Sequence, residues 1–175
     1  MNRLYQASDL RALWEKIIPM LLVQSEKLTI AESFTGGMLV SSLTQISGVS
    51  SFFRGGIVAY QEDLKRGMLG VEAVTLEHFG VVSTQVAEEM ALGVLQRFQG
   101  TIGLGTTGLA GPARETPLGE KSRGPSVGTV ALAVALGGKH EERVCSRLLH
   151  LSGDRYQVQL QGSCHLLELL ADQLM

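Results

Sequence analysis

Within the stretch Ser47–Lys65, three side chains are of types that together can build an activated nucleophile: Ser50, Tyr60 and Lys65. A serine hydroxyl is a weak nucleophile until a neighbouring base takes its proton. A lysine supplies that base once burial pulls its pKa toward neutrality, and a tyrosine can relay or orient the proton. The plainer reading of the same residues makes Ser50 a loop residue, Tyr60 the aromatic end of a strand and Lys65 a solvated helix position.

Three further clusters carry chemistry. In Ala31-Glu-Ser-Phe-Thr-Gly-Gly37 a short strand runs into a glycine turn and then into helical spacing at Met38, Leu39, Leu43 and Ile46. Ser33, Thr35 and Gly36 there could cradle an anion or phosphate on exposed amides, or simply cap a helix with a tight entry. Thr107-Gly-Leu-Ala-Gly-Pro112 sets a hydroxyl, Thr107, and a glycine, Gly108, at a strand end, where a ligand can approach the backbone or the chain can merely turn. In Ser152-Gly-Asp-Arg155, Arg155 can grip a phosphate or carboxylate in bidentate fashion, or pair with Asp154. His78, His140, His150 and His165 are scattered without metal-ligand spacing, so no catalytic role is read for them.

The elements that must position these residues alternate in type. Ser8 or Asp9 is expected to cap a first helix with its apolar stripe on Leu10, Leu13, Trp14, Ile17, Leu21 and Leu22, kinked or shortened by Pro19. Strands are predicted at Lys27–Ile30, Phe52–Tyr60 with a bulge at Gly55-Gly56, Thr101–Thr107, Ser126–Leu136 and Glu142–Leu151. Helices are predicted at Gln61–Met68, Val74–Phe79 and Thr84–Phe98, the last capped by Ser83, and after Ser152-Gly-Asp to the C-terminus. The short Gly137-Gly138 connection makes the last two strands antiparallel. Ala113–Pro125 is polar and reads as a surface loop. The sum is a three-layer α/β/α sandwich with a mixed, mostly parallel sheet of about five strands, one domain over residues 1–175.

Composition sets the outer limits. With 175 residues, 45% hydrophobic and 18% charged, the chain can bury one substantial core. A formal net charge of −2 gives no electrostatic footprint for nucleic acid or an anionic membrane. The start carries no apolar signal core and no run is long enough to span a bilayer, so a cytoplasmic protein is expected. Cys145 and Cys164 read as buried free thiols.

Taken in order, these segments resemble the CinA C-terminal domain family, whose members include nicotinamide-nucleotide amidases. The resemblance runs through Thr29–Gly37, Gly48-Val-Ser50, Gly56–Tyr60 with Lys65, Met68–Val71, His78–Ser83, Thr107–Pro112, Val127–Val130 and Ser152–Arg155. It implies a three-layer α/β/α fold and hydrolysis of the carboxamide of nicotinamide mononucleotide to nicotinate mononucleotide and ammonia, without a cofactor. It also implies a homodimer, and the amidase-type half of larger CinA proteins without their N-terminal domain. By position, Ser50 would be the nucleophile, Lys65 its base and Tyr60 a proton helper. Ser33, Thr35, Gly36, Thr107 and Gly108 would line the pocket, and Arg155 would hold the phosphate or ribose. Phe34 stands where the family usually has cysteine, and Gln159 and Gln161 where its last helix is often basic. These departures frame the alternative of a nucleotide-binding or regulatory domain that keeps the pocket without the chemistry.

Strand geometry opens a choice between two serines. On one straight strand, Ser50 and Tyr60 would lie about 30 Å apart. Either the chain folds back at Gly55-Gly56, or Ser50 reaches the lysine of another subunit, or Ser33 is the partner of Lys65. Ser33, Tyr60, Lys65 and Thr107 all fall at strand C-terminal ends, where α/β ligand sites gather. The resemblance favours Ser50 and the sheet geometry favours Ser33.

Overall fold

A computed structural model describes residues 5–111 and 125–175, so most of the polar segment 113–125 lies outside the described residues. The elements run α1 (Ala7–Val23), β1 (Leu28–Glu32), α2 (Met38–Thr44), a single 3₁₀ turn (Val49–Ser51), β2 (Phe53–Val58), α3 (Glu62–Leu69), α4 (Ala73–Phe79), α5 (Thr84–Arg97), β3 (Ile102–Gly108), β4 (Thr129–Leu136), β5 (Arg143–His150) and α6 (Arg155–Leu174). The five strands form one sheet in the order β2-β1-β3-β4-β5. β1 pairs in parallel with β2 and β3, and β4 runs antiparallel to both neighbours. Four strands therefore point one way and β4 alone opposes them.

Period-two alternation sorts the strand residues into two cores. Leu28, Ile30, Ile102, Leu104, Leu132 and Val134 pack under α1, α2 and α6. The other face carries smaller residues: Ala131, Ala133 and Ala135 meet Ala87 and Ala91 of α5. Gly103 and Gly105 belong to this second face, where a Cβ would come within 2.1 Å of Ala91 O and 2.2 Å of Ala87 O. The α5 backbone thus lies directly on β3. Three layers result, with α3, α4 and α5 opposite α1, α2 and α6.

Local chemistry moved some boundaries. The first helix is capped by Gln6, not by Ser8 or Asp9; Asp9 sits three residues on and accepts the Gln6 N–H at 2.8 Å. Pro19 does not shorten α1, which continues to Val23. The bulge in β2 is real: Leu28 pairs with Phe53 but Thr29 with Gly55, leaving Arg54 as the extra residue. Ser83 caps α5 by accepting the Val86 N–H, and Asp154 caps α6 by accepting that of Gln157. Cys164 is buried and Cys145 half-buried, and no disulfide joins them. Among the described residues no helix is long and apolar enough to cross a membrane.

Candidate active site

The site forms at the C-terminal ends of β1, β2 and β3. Along β1, Ala31 faces the α3–α5 core and Glu32 the α2 side, so the next residue, Ser33, faces α3. The α3 helix begins two residues after Tyr60 and turns Lys65 inward on the same face as Leu69, although its neighbours Leu64 and Arg66 are exposed. Lys65 is 1% exposed and Ser33 6%. The Lys65 Nζ lies 2.8 Å from Ser33 Oγ, 2.8 Å from the Ala59 carbonyl oxygen and 3.4 Å from that of Tyr60. No carboxylate forms an ion pair with it among the described residues. Burial pulls the Lys65 pKa from its ordinary 10.5 down to about 8, with the Glu62 charge acting the other way. A buried amine at hydrogen-bond distance from a hydroxyl, and close to neutrality, is equipped to deprotonate it.

Ser33 is held by its own backbone. Its N–H donates to Thr106 Oγ1 at 3.1 Å, and Thr106 Oγ1 also pairs with Thr35 Oγ1 at 3.0 Å. All three residues are buried. The expected anion cradle is corrected for the start of α2, where the amides from Gly36 to Val40 already have acceptors within the protein. The buried Glu32 carboxylate accepts the N–H groups of Gly37, Leu39 and Val40 at 3.0, 3.2 and 2.9 Å. An internal carboxylate fills the place where an external anion would bind.

Ser50 is not part of this arrangement. It is exposed in the 3₁₀ turn before β2, and β2 starts beside Leu28, at the opposite end of the sheet from Ser33. About 20 Å of strand separates the two ends. Gly55-Gly56 bulges the strand but does not fold it back, so within one chain Ser50 cannot serve Lys65.

The remaining candidates gather around Ser33 in different ways. The β1–β3 register, Ala31 against Gly105, extends to set Ser33 beside Thr107. Thr107 is buried and its hydroxyl donates to Val81 O at 2.7 Å, which ties down the segment before α5. Gly108 ends β3, and Gly36 is exposed in the turn with φ +63°. Tyr60 is 55% exposed beside Lys65. Arg155, exposed at the start of α6, lays its guanidinium over Gly111, where a Cβ would lie 2.8 Å from Nη2. Phe34 points away from Lys65 into the α6 core, 3% exposed. Gly162 and Gly108 make its room: a Cβ at either would come within 2.5 and 3.0 Å of the ring. The ring therefore does not crowd the serine.

Two residues of this site escaped the sequence. Thr106 was passed over for Thr107, although alternation along β3 puts them on opposite faces and each has its own task. Glu32 drew no role, although a carboxylate just ahead of a helix start is a capping signal. Among the described residues no cluster suited to a metal ion occurs.

The family model described as CinA C-terminal domain matches residues 10–174. A CinA-like protein of Chlorobium phaeovibrioides is 42% identical over 166 residues, covering 94% of this chain and 37% of the relative. A putative competence-damage inducible protein of Bacillus subtilis is 37% identical over 149 residues, covering 83% of this chain and 33% of the relative. The chain thus spans about a third of the length of these relatives. Among solved structures, the competence/damage inducible protein CihA of Agrobacterium tumefaciens superposes with a TM-score of 0.83 at 32% identity, covering 98% of each chain. A competence-damaged protein (CinA) superfamily protein of Enterobacter cloacae gives 0.85 at 29% identity, covering 100% of this chain and 99% of that one.

Proposed function

This chain belongs to the CinA C-terminal domain family, and from that premise we propose that it hydrolyses the carboxamide of a pyridine nucleotide, nicotinamide mononucleotide, with Ser33 as nucleophile and Lys65 as base. The observation that carries the reading is the 2.8 Å contact between Lys65 Nζ and Ser33 Oγ, made in a buried place with no ion-paired carboxylate among the described residues.

In the reactive form Lys65 is neutral and accepts the Ser33 proton as Oγ attacks the amide carbon. The oxyanion that forms needs N–H donors close to the serine. Gly36 N already donates to Ser33 O and Gly37 N to Glu32, which leaves the N–H groups of Phe34 and Thr35 as the donors in that turn. Collapse breaks the C–N bond; Lys65 returns its proton to the leaving nitrogen and ammonia departs. Water, deprotonated by Lys65, then attacks the acyl-serine, and the proton passes back to Ser33 as the carboxylate product leaves. The Ala59 and Tyr60 carbonyl oxygens aim the amine through both half-reactions. The exposed Tyr60 ring borders the site as a proton helper, and Arg155 is the cation for the substrate's phosphate. Ser33 takes the role that the resemblance alone assigned to Ser50.

The test is the release of ammonia and nicotinate mononucleotide from nicotinamide mononucleotide by the purified chain. Ser33→Ala is expected to lower turnover by at least about 10³-fold. Wild-type protein that binds the nucleotide and releases no ammonia would instead establish a binding domain.

A further inference from the structure

A second cleft lies away from the Ser33–Lys65 pair. It encloses about 680 Å³ between the first turns of α1, the outer side of α2 and the start of α6, a volume typical of small-molecule sites. One wall is the turn Thr35–Gly37, yet neither Ser33 nor Lys65 lines it. The alternation along β1 explains the separation, since Ser33 faces α3 whereas the cleft opens on the α2–α6 side.

The lining has a definite chemical character. Arg11 is the one charged side chain among the described lining residues. Its partner is Glu15 at 2.9 Å, with the two side chains 64% and 55% exposed. Such a surface pair is worth ~1 kcal/mol or less and competes weakly with an arriving anion. The hydroxyls of Ser8 and Ser41 add hydrogen-bond donors, and Tyr156 supplies an exposed aromatic ring beside Met38 and Ile46. From this lining we infer that the cleft is a second binding site, for a small aromatic anion: a ring bearing a phosphate or carboxylate, of mononucleotide size.

The occupant would touch the catalytic turn from behind. Thr35, in the cleft wall, pairs with the Thr106 hydroxyl that accepts the Ser33 N–H. Gln159, in the same wall, donates from Nε2 to Phe34 O at 2.8 Å. The cleft and the nucleophile therefore share one short segment of backbone.

The chain carries its own reporter. Trp14 is the only tryptophan, fully buried, and its indole N–H donates at 3.0 Å to Ser42 Oγ, which lines the cleft. Titration of the full chain with adenosine monophosphate and, separately, with benzoate is expected to change Trp14 emission in a saturable way. Saturation by the first alone assigns a phosphate ligand, by the second alone a carboxylate, and by both an anion of either kind. Arg11→Gln should weaken binding at least tenfold and Ser41→Trp should abolish it; both positions are exposed, and circular dichroism checks their fold. Ser33→Ala should leave the affinity within twofold. The inference is overturned if neither probe gives a saturable change with wild-type protein, if both cleft variants bind as wild type, or if Ser33→Ala abolishes binding. Because the readout is binding, it is independent of whether the chain hydrolyses an amide.

Discussion

The two ends of β1 each bury a titratable group, and they treat it in opposite ways. At the N-terminal end, Glu26 is 0% exposed and surrounded by partners. It accepts from Thr101 Oγ1 at 2.5 Å, lies 2.9 and 3.0 Å from His140 Nε2, and pairs with Lys139 Nζ at 2.9 Å. Burial raises its pKa, but the hydrogen bonds from Thr101, His140 and Lys139 outweigh that and hold the carboxyl below its ordinary value. At the C-terminal end, Lys65 is equally buried, and among the described residues its hydrogen-bond partners are a hydroxyl and two carbonyl oxygens. Its charge is disfavoured and its pKa falls. A buried charge given counter-charges staples the structure, here the β4–β5 hairpin to the start of β1. A buried charge denied them costs stability and becomes reactive.

The largest effect expected from breaking this contrast is at Lys65. Lys65→Met should lower amide hydrolysis by at least about 10³-fold while the melting temperature at pH 7 stays the same or rises, because an unpaired buried charge has been removed. A sharp loss of stability would mean that Lys65 is structural, like Glu26. The next effect is the mirror image. Glu26→Gln should cost about 1–2 kcal/mol by chemical denaturation, since it removes the charge that Thr101, Lys139 and His140 bond to, and should leave kcat unchanged. Wild-type Glu26 gives its stabilisation above the ordinary pKa of 4.5 and loses it as the pH falls through its lower folded value.

Lys65 works with the opposite slope. Its folded pKa of about 8 lies below the ordinary 10.5, so between these values the unfolded chain binds the extra proton. Stability should therefore rise across this window, recovering up to ~3 kcal/mol, and Lys65→Met should flatten the rise. In the same protein, kcat/KM should climb to a plateau above about pH 8 as the amine becomes neutral. A profile flat from pH 6 to 9 would remove lysine as the base. The smallest effect belongs to Ser50→Ala, which should keep turnover within twofold, because that hydroxyl is exposed at the far end of the sheet. Loss of activity in this variant would return the nucleophile to Ser50 of a second subunit.

Much of the frame could be read from residue order. Alanine-rich Thr129–Leu136 is a central strand buried on both faces, and the glycine pair after it forces the antiparallel return of β5. Sheet geometry also favoured Ser33 over Ser50, because period-two spacing fixes which strand end a residue occupies. What could not be read is how side chains spend their hydrogen bonds. The segment Glu32–Gly37 advertises an anion site, and only three-dimensional placement reveals that Glu32 occupies it. Phe34 looked like an obstruction because the sequence does not tell that Gly162, far along the chain, leaves a space for its ring. Lys65 is a similar case: its burial depends on the inward turn of α3 against β2, which the exposed residues on either side of it conceal.

The carboxylate beneath α2 has one more consequence. Glu32 sits as an internal anion under α2, so the amides of Gly37, Leu39 and Val40 are shielded from phosphate in the surrounding solution and the helix start holds its shape without a ligand.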